Sequence, residues 1–176
     1  VQHVVVHIDP ESDASWADGR GGQVPTDGVH EHDKTGKGVG TSEALSDGVK
    51  RLKPLVLLQV VERLKLTQCL IFCRTNLDCD NLEKFLNAKG GGKAYRGKAE
   101  KGVENEYSCV VFAGQRHNDE RRRNLKAFKE GDVRFLICTD VAARGIDIKE
   151  LPYVINMTLP DKEEAYLHRI GRVGRA

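Results

Sequence analysis

Five short runs of apolar, β-favouring residues constrain this chain more than any other feature of its sequence. They are Val1 to Asp9 (with Val4-Val5-Val6 and Ile8), Leu70-Ile71-Phe72-Cys73, Cys109-Val110-Val111-Phe112, Val133 to Cys138, and Tyr153-Val154-Ile155-Asn156. Continuous apolar runs of this length mark strands buried on both faces, the condition of a parallel sheet covered by helices. Helical periodicity fills the gaps. Val49, Leu52, Val56, Val60 and Leu64 recur around an interrupting Pro54, and Leu77, Leu82, Phe85 and Leu86 share a face of a helix running through Asn81–Leu86. Asp119–Lys129 is a charged helix with Leu125 and Phe128 facing in, and Lys162–Ile170 opens a last helix that the chain's end at Ala176 cuts. No sustained hairpin signal occurs, so the expected fold class is α/β, a mostly parallel sheet with helices on both faces. Two stretches poor in apolar periodicity, residues 10–46 and 89–106, read as surface insertions within one domain spanning residues 1–176.

Composition narrows the function classes. A net charge of +2 gives no global field for nucleic acid, so any basic surface has to come from local clustering. Five cysteines are an odd number, and Cys69 and Cys73 lie in apolar sequence, as buried thiols of a reducing compartment do. No CxxC pair occurs, and His30 with His32 lacks companions at zinc spacing, so no metal site is expected. No apolar run is long enough to span a membrane, and a cytoplasmic or nuclear location is expected.

Ligands of open parallel sheets gather at the carboxyl ends of the strands. That singles out the loops after Cys73, Phe112 and Cys138. The richest is Thr139-Asp140-Val141-Ala142-Ala143-Arg144-Gly145-Ile146-Asp147-Ile148. Its small side chains permit close approach of a ligand, Thr139 offers a hydroxyl to phosphate, and Asp147 offers acceptors to a sugar. A plain strand-to-helix turn capped by Thr139 or Asp140 accounts for the same pattern. The second rich passage, His168-Arg169-Ile170-Gly171-Arg172-Val173-Gly174-Arg175, places three arginines at every third residue. Guanidinium forks match phosphate and can neutralise charge during phosphoryl transfer. The competing reading is a solvated basic helix end, which Gly171 and Gly174 disfavour.

Taken in order, Leu70-Ile71-Phe72-Cys73-Arg74-Thr75, Ala113-Gly114-Gln115-Arg116 with Arg121, Thr139 to Ile148, Val154-Ile155-Asn156 and His168 to Arg175 resemble the second-domain motifs of DEAD-box RNA helicases. The Gly-rich stretch near Lys89 and the Arg-Val-Gly-Arg-Ala ending look most like the subfamily with a SPRY insert in its first domain. The resemblance implies a RecA-like three-layer sandwich in an ATP-dependent RNA helicase. It implies RNA contacts from Arg74, Thr75, Gly114, Arg121 and Thr139, and nucleotide contacts from Asp147 with Gly145. It implies arginine fingers at Arg172 and Arg175, with interdomain coupling through Arg144 and His168. The implied partners are single-stranded or duplex RNA and a first RecA-like domain of the same polypeptide, which would hold most of ATP and Mg2+. No membrane partner is implied. Taken alone, Arg121 with Arg122 and Arg123 is an ordinary solvated charge run, and His168 an ordinary structural histidine.

Three positions depart from the family pattern. Ala113 stands where a His is usual, Gln115 where an Asp is usual, and Thr158 where an Asp precedes Leu159-Pro160. Rival readings exist. Cys138-x5-Arg144 has the spacing of a cysteine phosphatase or rhodanese loop, although Asp140 would repel phosphate there and no glycine helps the loop curl. A pure binding module is a second rival, because these residues contain no GxxxxGK[ST] phosphate loop. The isolated chain is therefore expected not to hydrolyse ATP. A DNA helicase of the same superfamily is the third, since backbone-phosphate contacts do not distinguish the two nucleic acids.

Overall fold

The computed structural model describes residues 2–16, 41–91, 105–144, 146–148 and 150–173. The chain divides into two compact units, residues 2–65 and the chain from Leu66 on.

In the first unit the expected opening strand does not form. Residues 2–9 belong to no ladder, and Val5 is 92% exposed with Val4 and Val6 also exposed. An apolar β-branched run becomes a strand only where a sheet edge pairs its N–H and C=O groups, which composition cannot report. A short 3-10 turn follows at Ala14–Trp16, where the Trp16 indole N–H donates to the Pro10 carbonyl at 2.8 Å. Helix α1 covers Ser42–Arg63. It therefore begins inside the stretch 10–46 read as an insertion, started by Thr41, whose hydroxyl accepts from the Ala44 N–H at 3.2 Å. Gly48 lets the Trp16 ring lie against the helix, since a Cβ there would sit 2.6 Å from the indole. The helix runs unbroken through Pro54, whose missing N–H costs one intrahelical bond without ending it. Its buried apolar residues are Ala44, Leu52, Leu57 and Val61, one position on from the expected Val56 and Val60, while Leu64 is exposed.

The second unit carries the sheet. Strand β1 is Cys69–Phe72, helix α2 Asn76–Lys89, strand β2 Cys109–Phe112 and helix α3 Asn118–Lys129. Strand β3 is Phe135–Cys138, helix α4 Asp140–Ala143, strand β4 Tyr153–Asn156 and helix α5 Glu163–Ile170. Among the described residues the sheet has four strands in the order β2-β3-β1-β4, every pair parallel. The insertion at 89–106 lies mostly outside the described residues. The last helix stops at Gly171 and is not cut by the chain's end.

Parallel crossovers are right-handed, and this fixes the faces. From β1 to β2 the chain moves one way across the sheet, and from β2 to β3 and β3 to β4 it moves the other way. α2 therefore lies on one face, α3 and α4 on the opposite one. Side chains agree. Leu70, Phe72, Val110, Leu136 and Cys138 point into a cluster with Ala127 and Phe128 of α3 and Ala143 of α4. On the other face, the Cys109 thiol lies 3.9 Å from the Glu83 carbonyl of α2. Phe128 is wholly buried against that cluster. Phe128→Ala is expected to cost about 3–5 kcal/mol of unfolding free energy in urea melts, with the slope of the transition unchanged.

Candidate functional site at the carboxyl edge of the sheet

Register decides which loops meet. Phe72 pairs with Cys138 and with Asn156, and Phe112 pairs with Cys138, so all four strands end level. The loops opening at Ala113, Thr139, Cys73 and Met157 consequently stand in a row along one edge. β1 and β3 are neighbours whose following helices lie on opposite faces. The crevice where ligands of such sheets bind is therefore flanked by Thr139 on one side and Arg74 with Thr75 on the other.

Arg74 is exposed and reaches Asp161, in the β4–α5 loop, at 3.2 Å. Both side chains are well exposed, so this pair contributes at most about 1 kcal/mol and yields readily to a phosphate. Thr75 is the N-cap of α2. Its N–H and hydroxyl donate to Asp78 Oδ2 at 2.8 and 2.7 Å, and its oxygen accepts from the Asp78 N–H at 3.1 Å, a reciprocal capping box. The hydroxyl thus has a structural duty that sequence reading did not assign to it.

Gly114 is exposed, and a Cβ built on it meets nothing within 4 Å, so the space above it is open. Arg121 lies over the Phe112 ring at 5.6 Å and donates to the Asn118 side chain, which holds its guanidinium near the same loop. Thr139 is buried at the N-cap position of α4, but its side chain makes no capping bond. The simple turn-cap reading therefore explains its position and not its hydroxyl.

Sequence reading missed the residue that organises this edge. Arg169 is 2% exposed and makes four hydrogen bonds. Its Nε and Nη2 fork onto Asp140 Oδ1 and Oδ2 at 2.6 and 2.7 Å, and its Nη1 donates to Asn156 Oδ1 at 2.6 Å and to the Thr158 carbonyl at 2.7 Å. The guanidinium lies 4.7 Å from the centroid of the Phe72 ring. It thereby joins the ends of β3 and β4 across β1. The only sequence signal was its place as the first of three evenly spaced arginines. Thr158 contributes its backbone oxygen, so the departure from Asp at this position leaves the bond to Arg169 intact.

Arg172 donates from Nη1 to the Ile146 carbonyl at 2.6 Å and from Nη2 to the Ala143 carbonyl at 3.4 Å, which brings it beside the segment of exposed Asp147. The Leu151 N–H donates to the Arg172 carbonyl at 3.0 Å, and Leu151 bridges in parallel to Val173. Arg144, at the C-cap of α4, and His168, in the last turn of α5, are both exposed. Gly145 and Arg175 lie outside the described residues, as do His30 and His32.

Two further loop residues point at α2. Gln115 donates to the Asp80 carboxylate and, at 3.4 Å, to the Asn76 carbonyl. Arg116 donates to Asp80 and Glu83 at 2.7 Å each and to Glu120 of α3 at 3.0 Å. Burial first, with Asp80 and Glu120 nearby, raises the Glu83 carboxyl above its usual range despite the opposing pull of Arg116.

All five cysteines are free and buried. Burial pushes the Cys138 thiol well above its ordinary value, and a hydrogen bond with Cys79, then burial, does the same for Cys73. A nucleophile needs the opposite, so the cysteine-phosphatase reading has no chemical support. Among the described residues no group of three or more His, Cys, Asp or Glu side chains could hold a metal ion, and no helix is long and apolar enough to cross a membrane.

Residues 52–176 match the family model described as the helicase conserved C-terminal domain. The whole chain is 47% identical to 23% of the length of the ATP-dependent RNA helicase DDX1 of Xenopus laevis, and 47% identical to 22% of that of Ddx1 of Drosophila melanogaster. Among solved structures, the C-terminal domain of the DEAD-box protein Dbp5 is similar at a TM-score of 0.55 with 29% identity, over 71% of this chain and 64% of that one. The S. cerevisiae Dbp5 structure bound to RNA and ADP BeF3 is similar at a TM-score of 0.55 with 29% identity, over 70% of this chain and 29% of that one.

Three outcomes test this geometry. Arg169→Met leaves Asp140 and two further acceptors without their donor and is expected to destabilise the fold by about 3 kcal/mol, with no rescue by Arg169→Lys, whose single ammonium cannot fork. Thr75→Ala is expected to cost about 1 kcal/mol in the same denaturant melts with no ligand present, the usual loss for a cap. Thiol titration of the native protein with a disulfide reagent at neutral pH is expected to be slow at Cys138, and fast only after unfolding. The level carboxyl edge, the family match and the solved relatives agree, and the chain belongs to the helicase conserved C-terminal domain family as a RecA-like second domain of the DEAD-box type.

Proposed function

We propose that this chain is one half of an ATP-dependent RNA helicase, without hydrolysis of its own and active when joined to a first RecA-like domain. The observation that carries the reading is the level carboxyl edge, where Gly114, Thr139 and Arg74 with Thr75 follow one another across three adjacent strands. An unpaired backbone of regularly spaced phosphates suits such a row. Arg74 and Arg121 supply charge, Thr139 a hydroxyl, the first N–H groups of α2 an anion-favouring helix end, and Gly114 room for close approach. The relative solved with RNA and ADP BeF3 supports RNA as the nucleic acid. Contacts confined to phosphates give weak sequence preference and affinity that falls with salt.

ATP is the second substrate. Asp147 would accept from its ribose, with Gly145 alongside, while Arg172 and Arg175 act as arginine fingers toward the γ-phosphate held by the first domain. Arg172 is already tied to the Ile146 carbonyl, next to Asp147, so the two nucleotide contacts share one support. Arg144 and His168, both exposed, would couple closure of the two domains to RNA grip. Closure bends the bound strand and expels its partner; phosphate release reopens the cleft. Mg2+, like most of ATP, would be held mainly by the first domain.

The test is RNA-stimulated ATP hydrolysis by the full-length protein, wild type against Arg175→Ala. Turnover is expected to fall by ~10³–10⁵, the range that arginine fingers contribute in related phosphoryl transfers. Unchanged turnover in a folded variant would leave the binding-module reading in its place. The isolated chain is expected to show no hydrolysis with or without RNA.

A further inference from the structure

We infer that Arg116 is a positioning residue that couples the two outer RNA-contact loops, an inference that rests on the RNA-helicase reading above. The loops after β1 and β2 both serve the same edge, yet β3 lies between their strands, so no ladder joins them. Helix α2 is the only described element that both starts at the first loop and receives side chains from the second. Its first turn carries the Thr75 cap, and Asn76 and Asp80 accept from Gln115. Arg116 then reaches past Gln115 to Asp80 and Glu83, one and two turns into α2, and to Glu120 in the first turn of α3. One guanidinium therefore fastens the Gly114 loop to both helices that flank it.

Charge makes this more than a brace. Arg116 faces three carboxylates, and its side chain and theirs are all largely shielded from solvent. Taking the guanidinium away leaves three negative groups beside a loop that RNA phosphates must approach. The loop loses its anchor and gains a repulsive field. Lysine reaches as a single point charge and spans fewer of the three acceptors, so it restores charge better than geometry.

The experiment uses the full-length protein and poly(A) RNA as the probe, reading the RNA concentration that gives half-maximal ATPase stimulation, the maximal rate and the melting temperature. Arg116→Ala is expected to raise the half-maximal RNA concentration about tenfold, equivalent to about 1.4 kcal/mol, while changing the maximal rate less than about twofold. Arg116→Lys is expected to recover part of the affinity. Adding Asp80→Asn and Glu83→Gln to Arg116→Ala is expected to recover affinity by removing the repulsion, although the anchor stays absent. Equal half-maximal concentrations in wild type and Arg116→Ala overturn the inference. So does a loss of maximal rate and melting temperature together that neither Arg116→Lys nor the triple variant reverses, which marks a purely structural residue. Wild-type protein without RNA stimulation would instead sink the helicase reading itself.

Discussion

The fork of Arg169 on Asp140 is the interaction on which the rest of the carboxyl edge depends. A guanidinium buried to this extent is tolerable only when its donors are met, and here four hydrogen bonds and an aromatic face meet them. Asp140 opens the short helix α4, Asn156 closes β4, and Arg169 comes from α5. Three segments far apart in sequence are thereby held at one height. Thr139, next to Asp140, and Arg172, three residues after Arg169, take their places from that bond. The candidate phosphate hydroxyl and the candidate finger thus share one internal reference point.

Parallel pairing provides the second constraint. Strands of four residues in register end together, and the loops that follow have no choice but to line one edge. The crossover pattern then separates α2 from α3 and α4 and opens the crevice between Thr139 and Arg74. Neither feature needs a long strand or a large sheet. A tight core of Leu70, Phe72, Phe128, Leu136 and Cys138 beneath the edge keeps it from shifting, because close-packed interiors yield little.

Much of this was legible in the residues. The four strands of the sheet, the helices between them and the row of loops follow from apolar runs and their spacing. Thr139 drew notice as a hydroxyl at a strand end, where a turn cap was an equal reading, and Arg74 and Gly114 drew notice through the family resemblance of their loops. What was not legible depended on partners remote in sequence. Val4-Val5-Val6 has the composition of a strand, but no sheet edge pairs it. Arg169 looked like one of three equivalent arginines until Asp140, 29 residues away, was brought to it. Arg116 appeared only as the last residue of a loop motif and had no role of its own, because Asp80 and Glu83 lie more than thirty residues earlier. In α1 Leu52 is buried as its spacing implied, but beyond Pro54 the stripe moved one residue on, to Leu57 and Val61, because periodicity alone leaves the rotation of a helix free by that much.

The Thr158 carbonyl carries a consequence for how such chains vary. Arg169 reads the main chain at this position, and every amino acid offers the same oxygen there. The side chain at 158 is consequently released from the duty of seating Arg169, and mutation can explore it without loosening the edge. A position that departs from the family pattern can in this way be neutral to architecture, while Asp140, whose carboxylate has no main-chain substitute, has no such freedom.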